Sequence, residues 1–346
     1  AASDVYKRQQ WRGSNRDGIS KENNLLKEWP KTGPPLTWKV KGLGIGFSSI
    51  AVLKGKLYTL GDLKDGSYTI ALDEKNGDII WKVNIPEEAG RGVPMWGFCA
   101  SPLLVGEHVI VHASEAGEKD VFGYKASNGE LVWTAAAGEH SYSSPQQMNF
   151  SDRQQVAILT DDGLTLLDPT TGTILVEYAW PHSGYRALQP CVVGDNQIVI
   201  TTGMGTGTRL LEIDVKSEHW NVKEIWTTKN LKSDFNDLLV HEGHLYGFDD
   251  SIFTCIDLAT GRRKWKRGRY GKGQSLLLPE ENLIMVLSEQ GVIVLLDTDS
   301  ETHQELASLQ MLNGKTSLNA CVLKQIKLVS GDINFPPDSG VKMGII

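Results

Sequence analysis

Few cysteines, no long apolar run and no excess of positive charge mark this chain, and each shortage removes a class of protein. Its 346 residues hold four cysteines, Cys99, Cys191, Cys255 and Cys321, with no C-x-x-C spacing and no two adjacent. That pattern argues against a structural zinc site or a disulfide framework and makes buried free thiols the ordinary reading. No stretch approaches the ~20 apolar residues that a membrane-spanning helix needs. With a formal charge of -7 and a pI near 5.7, the chain lacks the basic stripe of a nucleic-acid binder. Helical patterning is scarce as well, since no stretch longer than about ten residues keeps a 3.6-residue apolar period.

What the chain has is glycine, 36 residues of it, and one hairpin repeated along its length. In residues 71–81, Ala71 and Leu72 end a strand and Asp73 can bond the backbone that follows. Gly77 then supplies a positive φ before a strand that ends at Trp81. The same Asp, Gly, Trp spacing returns as Lys125, Gly129, Trp133 and as Asp257, Gly261, Trp265. Weaker copies are Asp168 and Gly172 with Val176 in the Trp place, Asp214 reaching Trp226 after a four-residue insertion, and Asp297 leading to Glu305. These anchors recur every 40 to 52 residues.

A period of this length, with several short strands per unit, points to an all-β fold: a single β-propeller of four-stranded antiparallel blades, none able to bury its own faces alone. The units read as residues 48–83, 99–135, 143–179, 188–228, 236–267 and 274–309. A further blade is shared between strands near 318–323 and 326–330 and an N-terminal strand at 36–40. That makes seven blades, with eight as the alternative count. The propeller then spans 36–333, preceded by an irregular arm at 11–35 and followed by an atypical tail at 334–346. Residues 1–10 resemble a non-native scar, and a leader could have preceded them.

The intact hairpin of Ala71, Asp73, Gly77 and Trp81 resembles the tryptophan-docking repeat of pyrroloquinoline quinone (PQQ)-type propellers. The arm motifs Trp11-Arg12-Gly13 and Asn15-Arg16-Asp17-Gly18 also resemble bacterial PQQ-like repeat proteins, relatives of the outer-membrane assembly lipoprotein BamB, as do the stretches SDFNDLLVHEGHLYGFDD and GRYGKGQSLLL. The resemblance implies a periplasmic or secreted scaffold without catalysis, acting as a monomer on a protein, peptide or glycan partner. It also raises the alternative of a PQQ- and Ca2+-dependent alcohol dehydrogenase with its site on the propeller axis.

The sequence offers that alternative little. No two cysteines are adjacent to make the vicinal disulfide found in many such enzymes, and no Glu, Asn, Asp ligand trio can be assigned to matching motifs, so no cofactor or metal is expected. The glycine clusters at 42–46 and 203–207 do not lead into helices, His241-Glu242-Gly243-His244 is not a helical zinc motif, and no nucleophile elbow occurs.

In a propeller, the segments that lead into the innermost strands line the axial channel or its mouth. Here they carry Trp96, His140, Tyr142, Arg186, Gln189, Asn236, Asp237, Arg269, Tyr270, Gln274 and Asn319. These are the candidate ligand-binding residues, weighed against mutual hydrogen bonding around a watered channel.

Overall fold

The computed structural model describes Arg16 and residues 38–113, 119–138, 141–150, 153–216 and 219–310. Their backbone forms six four-stranded sheets, each a simple meander in chain order. The first holds β1 (Ala51–Leu53), β2 (Lys56–Leu63), β3 (Gly66–Asp73) and β4 (Ile79–Asn84). The second holds β5 (Leu103–Val105), β6 (His108–His112), β7 (Val121–Lys125) and β8 (Leu131–Ala135), and the third β9 (Gln146–Phe150), β10 (Arg153–Leu159), β11 (Gly163–Leu167) and β12 (Ile174–Ala179). The fourth comprises β13 (Cys191–Val193), β14 (Gln197–Thr202), β15 (Gly207–Lys216) and β16 (His219–Thr228). The fifth comprises β17 (Leu239–His241), β18 (His244–Asp249), β19 (Ile252–Asp257) and β20 (Arg263–Arg269), and the sixth β21 (Gln274–Leu278), β22 (Leu283–Leu287), β23 (Val292–Asp297) and β24 (Glu305–Gln310). The strands expected at 318–323 and 326–330, and the tail beyond, lie outside the described residues. Only α1 (Ile85–Ala89) is α-helical among them, capped by Asn84 and closed at Gly90.

The middle strands carry the burial, as stacked sheets require. In β3 every residue from Ser67 to Leu72 is buried, and in β11 all five residues are. Core clusters form between consecutive sheets, as where Tyr58 and Trp81 of the first meet Val109, Phe122 and Tyr124 of the second.

The repeated hairpin acts as a clasp between neighbours. The Asp73 carboxylate accepts from Lys75 N, and Gly77 N donates to Asp73 O at 2.8 Å, which sets the turn. The indole N–H of Trp81 donates to Ala126 O, that of Trp133 to Pro169 O, that of Trp226 to Leu258 O and that of Trp265 to Asp299 O, always on the next sheet's last hairpin. Trp38 does the same to Glu74 O at 2.8 Å, although the described residues around it, 38–40, form no strand. Four of the five indoles also cover a glycine of the turn they clasp: Trp38 over Gly77, Trp81 over Gly129, Trp133 over Gly172 and Trp226 over Gly261. A Cβ at Gly129 would stand 2.7 Å from the Trp81 ring, and one at Gly172 2.5 Å from that of Trp133.

Every sheet also has a β-bulge between its third and fourth strands, in the same place. Ala71 faces Trp81 but Leu72 faces Ile79; Leu210 faces Trp226 but Leu211 faces Glu224; Leu295 faces Ala307 but Leu296 faces Glu305. The extra residue re-aims the fourth strand so that the following side chain turns toward the next sheet. In the sixth sheet this position is Ala307, two residues beyond Glu305, where the spacing alone puts it.

The junction between the third and fourth sheets is built differently. Val176 replaces the indole, and the lengthened β15–β16 hairpin brings Trp220 and Val222 into one apolar cluster with Val176, Tyr178 and Ile213. The aromatic surface missing from the donating sheet is thus supplied by the receiving one.

Candidate functional site

In an up-and-down sheet, the hairpin between the second and third strands shares one end with the linker from the outer strand to the next inner strand. The indole clasps occupy the opposite end. The linkers at 85–102, 136–145, 180–190, 229–238 and 270–273 therefore gather on one rim of the propeller.

Polar side chains tie successive linkers together on the axial side. Ser49 N donates to Ser101 Oγ at 3.0 Å and Ser101 N to Ser144 Oγ at 2.9 Å, while Ser143 Oγ donates to Leu188 O at 2.7 Å. Further round, Gln274 Nε2 donates to Phe235 O at 3.2 Å, and the buried Asn236 donates its amide to Gly273 O. Arg16 of the arm joins them. Its buried guanidinium donates to the Ser101 and Pro102 carbonyls, and its own carbonyl accepts from Gln189 Nε2 at 2.9 Å. Arg16 thus links the segment entering the second sheet to the one entering the fourth. The repeated serine before the inner strand was the signal for this lacing, and Arg16 was visible only as part of an arm motif.

Beside this lacing, Trp96 lies 5.2 Å from both the Tyr142 and the Tyr185 rings, edge-on to Tyr185. Burial raises the Tyr185 phenol pKa, the Asp234 charge raises it further, and Lys272 opposes that. Asp234 and Lys272 form an ion pair between the linkers that lead into the fifth and sixth sheets. Apolar side chains around the aromatic group face solvent: Trp96 is 46% exposed, Met95 88% and Ile45 79%, with Phe47, Val93 and Met204 also exposed. Ile45 pairs with Asp62, whose carboxylate abuts Gly97, and the Met204 sulfur abuts Gly184 next to Tyr185, so these side chains share the rim. Cys99 behind them is half-buried, its thiol pushed up to about 12, chiefly by burial.

The other expected residues distribute as follows. Arg186 is buried, 4.7 Å over the Trp180 ring, donating to the Thr160 and Trp180 carbonyls and to Thr202 Oγ1 at 3.0 Å. Burial pushes its guanidinium down to about 10, which leaves it a cation at neutral pH. It holds the third and fourth sheets together rather than facing the channel. Asp237 is buried beside Asn236. Arg269 and Tyr270 do not reach the axial side, because β20 continues to residue 269 and is the outermost strand of its sheet. The Tyr270 ring packs by Phe253 and His303, and its hydroxyl donates to Glu305 Oε1 at 2.6 Å. His140 and Asn319 lie outside the described residues.

A sequence profile of the family described as "Outer membrane protein assembly factor BamB" matches residues 9–267. The chain belongs to the BamB family. BamB from Moraxella catarrhalis superposes with a TM-score of 0.57 at 19% identity, over 82% of this chain and 81% of that one. The computationally designed Ika8 protein gives 0.57 at 14% identity, over 81% and 79%. Quinohemoprotein alcohol dehydrogenase from Comamonas testosteroni gives 0.50 at 13% identity, over 77% of this chain but 59% of that one. A search of curated proteins returned no match. Identities this low speak for the fold alone, and what a BamB-family propeller does has to be argued from its site.

Among the described residues, no helix is long and apolar enough to cross a membrane, and no three His, Cys, Asp or Glu side chains gather as a metal site. Asp234 is matched by Lys272, and the Asn236 side chain donates its NH2 to Gly273 O while its buried Oδ1 has no hydrogen-bond partner among the described residues.

Proposed function

We propose that this BamB-family propeller is an exported, non-catalytic scaffold that docks an extended apolar segment of a partner polypeptide on the rim around Trp96. One observation carries the reading: Val93, Met95 and Trp96 are exposed on one linker, with exposed Ile45 beside it through Asp62 and Gly97. A monomeric soluble surface rarely leaves such residues contiguous without a use, and a half-exposed indole backed by two tyrosines is a rigid anchor for a partner side chain. The laced linkers beneath it and the Arg16 bridge keep the rim preorganised, which lowers the ordering cost of binding. The family's description as an outer-membrane assembly factor supports export and a polypeptide partner.

A fluorescein-labelled peptide alternating aromatic residues with threonine tests the proposal by anisotropy. Trp96→Ala and Met95→Asp are expected to abolish saturable binding while leaving the urea midpoint unchanged. Binding of oligosaccharides in place of the peptide would refute the partner class. Saturable PQQ and Ca2+ binding with alcohol-dependent dye reduction, lost in Asp237→Asn, would overturn the non-catalytic reading.

A further inference from the structure

A second surface, separate from the rim, has the opposite character. The outermost strand of the fifth sheet, β20, reads RKWKRGR, five cations in seven residues with no acid. The other outer strands, β4, β8, β12, β16 and β24, carry at most one Lys or Arg each. Lysine on an exposed strand edge is a common guard against edge-to-edge pairing. That guard would serve all six outer strands equally, so it does not explain a concentration on one.

The backbone presents these cations outward. Strict alternation from buried Trp265 would turn Arg267 and Arg269 inward. A second register shift in this sheet, where Thr254 faces Lys266 but Ile252 faces Arg269, undoes the alternation and leaves both exposed. Neither forms an ion pair among the described residues. The carboxylates nearby are committed: Glu301 to Lys264, and Glu305 to the Tyr270 hydroxyl.

Beneath the strand, Lys232, Arg263 and Lys266 converge on the single buried carboxylate of Asp249, and Lys232 also meets Asp250 at 3.4 Å. Three cations on one buried acid leave a local positive surplus in a chain whose net charge is -7.

From this geometry we infer that an acidic, extended segment of a partner polypeptide binds along β20, its carboxylates meeting Arg267 and Arg269. Charge complementarity selects an acidic occupant. The linear spacing of the cations along a strand, about 3.3 Å per residue, selects an extended chain whose side chains repeat at the same interval. This inference does not depend on the rim proposal, which concerns apolar contacts at the linkers.

The test is a labelled peptide of alternating glutamate and valine, followed by fluorescence anisotropy at low and high salt. The wild-type chain is expected to bind it, with affinity falling steeply as salt rises. Arg267→Glu combined with Arg269→Glu is expected to weaken binding at least about tenfold, while Lys223→Glu on β16 leaves it unchanged. The neutral pair Arg267→Gln and Arg269→Gln, which removes the charge without reversing it, guards against misfolding and should show an intermediate loss. Equal affinity in the reversed and wild-type chains overturns the inference. So does tighter binding of phosphatidylglycerol vesicles or duplex DNA than of the peptide through the same two arginines.

Discussion

Gly129 offers a direct measure of what one indole clasp contributes. Its φ is +76°, a conformation that costs a residue with a Cβ about 1–2 kcal/mol. Its added methyl would also stand 2.7 Å from the Trp81 ring, well inside contact distance, so the indole must shift or the hairpin must lift. Forcing atoms into a packed junction costs a further 1–3 kcal/mol or so. Gly129→Ala is therefore expected to destabilise by roughly 2–5 kcal/mol. Gly55 supplies the control: its φ is +78°, but nothing lies within 4 Å of the corresponding Cβ, so Gly55→Ala should lose only the backbone component. The decisive arm is the cycle with Trp81→Ala, in which removal of the ring should return the cost of Gly129→Ala to that of Gly55→Ala. Urea unfolding of the four cycle members and the control, followed by circular dichroism, measures each step. If Gly129→Ala and Gly55→Ala cost the same in the wild-type background, the close approach of indole to turn has no energetic content and the clasp argument fails.

Three further outcomes follow from contacts already described. Arg186→Met leaves the Thr160 and Trp180 carbonyls and the Thr202 hydroxyl without their donor, and is expected to cost about 3 kcal/mol in urea unfolding; an unchanged midpoint would show that water serves these groups as well. Trp220→Ala should destabilise by about 2 kcal/mol, because this residue supplies the aromatic surface at the junction where Val176 stands, and an exposed-residue value near zero would refute that substitution of roles. For His303, burial beside Tyr270 lowers the ring pKa, so the folded chain resists protonation more than the unfolded one. Its contribution is intact above the ordinary histidine value of about 6.5 and is lost as pH falls below it, so His303→Gln should flatten the decline of unfolding free energy between neutral and mildly acidic pH.

Much of the architecture was legible because it rests on local chemistry that repeats. Asp73, Asp168 and Asp257 each bond the backbone of their own turn, and the indoles of Trp81, Trp133 and Trp265 are large enough to mark the strand that follows. The bulges were not legible, since one extra residue beside Trp81 or Trp226 changes no composition and shifts only the register. That is why Glu305 stood in the place that belongs to Ala307. The pairing of Val176 with an extended hairpin looked like two separate departures from the repeat, yet in space one compensates the other.

On the site, Tyr142 and Gln189 come to the axial side because their linkers are laced to their neighbours, and Trp96 packs on Tyr142 at the rim. Arg269 and Tyr270 do not, because the end of β20 is set by its pairing with Ile252 on the neighbouring strand, which local pattern does not reveal. Lys272 escaped notice for the opposite reason: a lone lysine in a glycine-rich linker gains meaning only when Asp234 arrives beside it.

Because each clasp is given by one sheet and received by the last hairpin of the next, the propeller has a direction, and its turns are not equivalent places to open the chain. The turn at Lys54 and Gly55 receives no indole and has open space beside Gly55, so new termini placed there would leave the donor and receiver of every clasp uncut. A circular permutant cut between Ala126 and Gly129 would instead sever the receptor for Trp81, and should fold poorly even though both cuts remove a single peptide bond from an exposed hairpin.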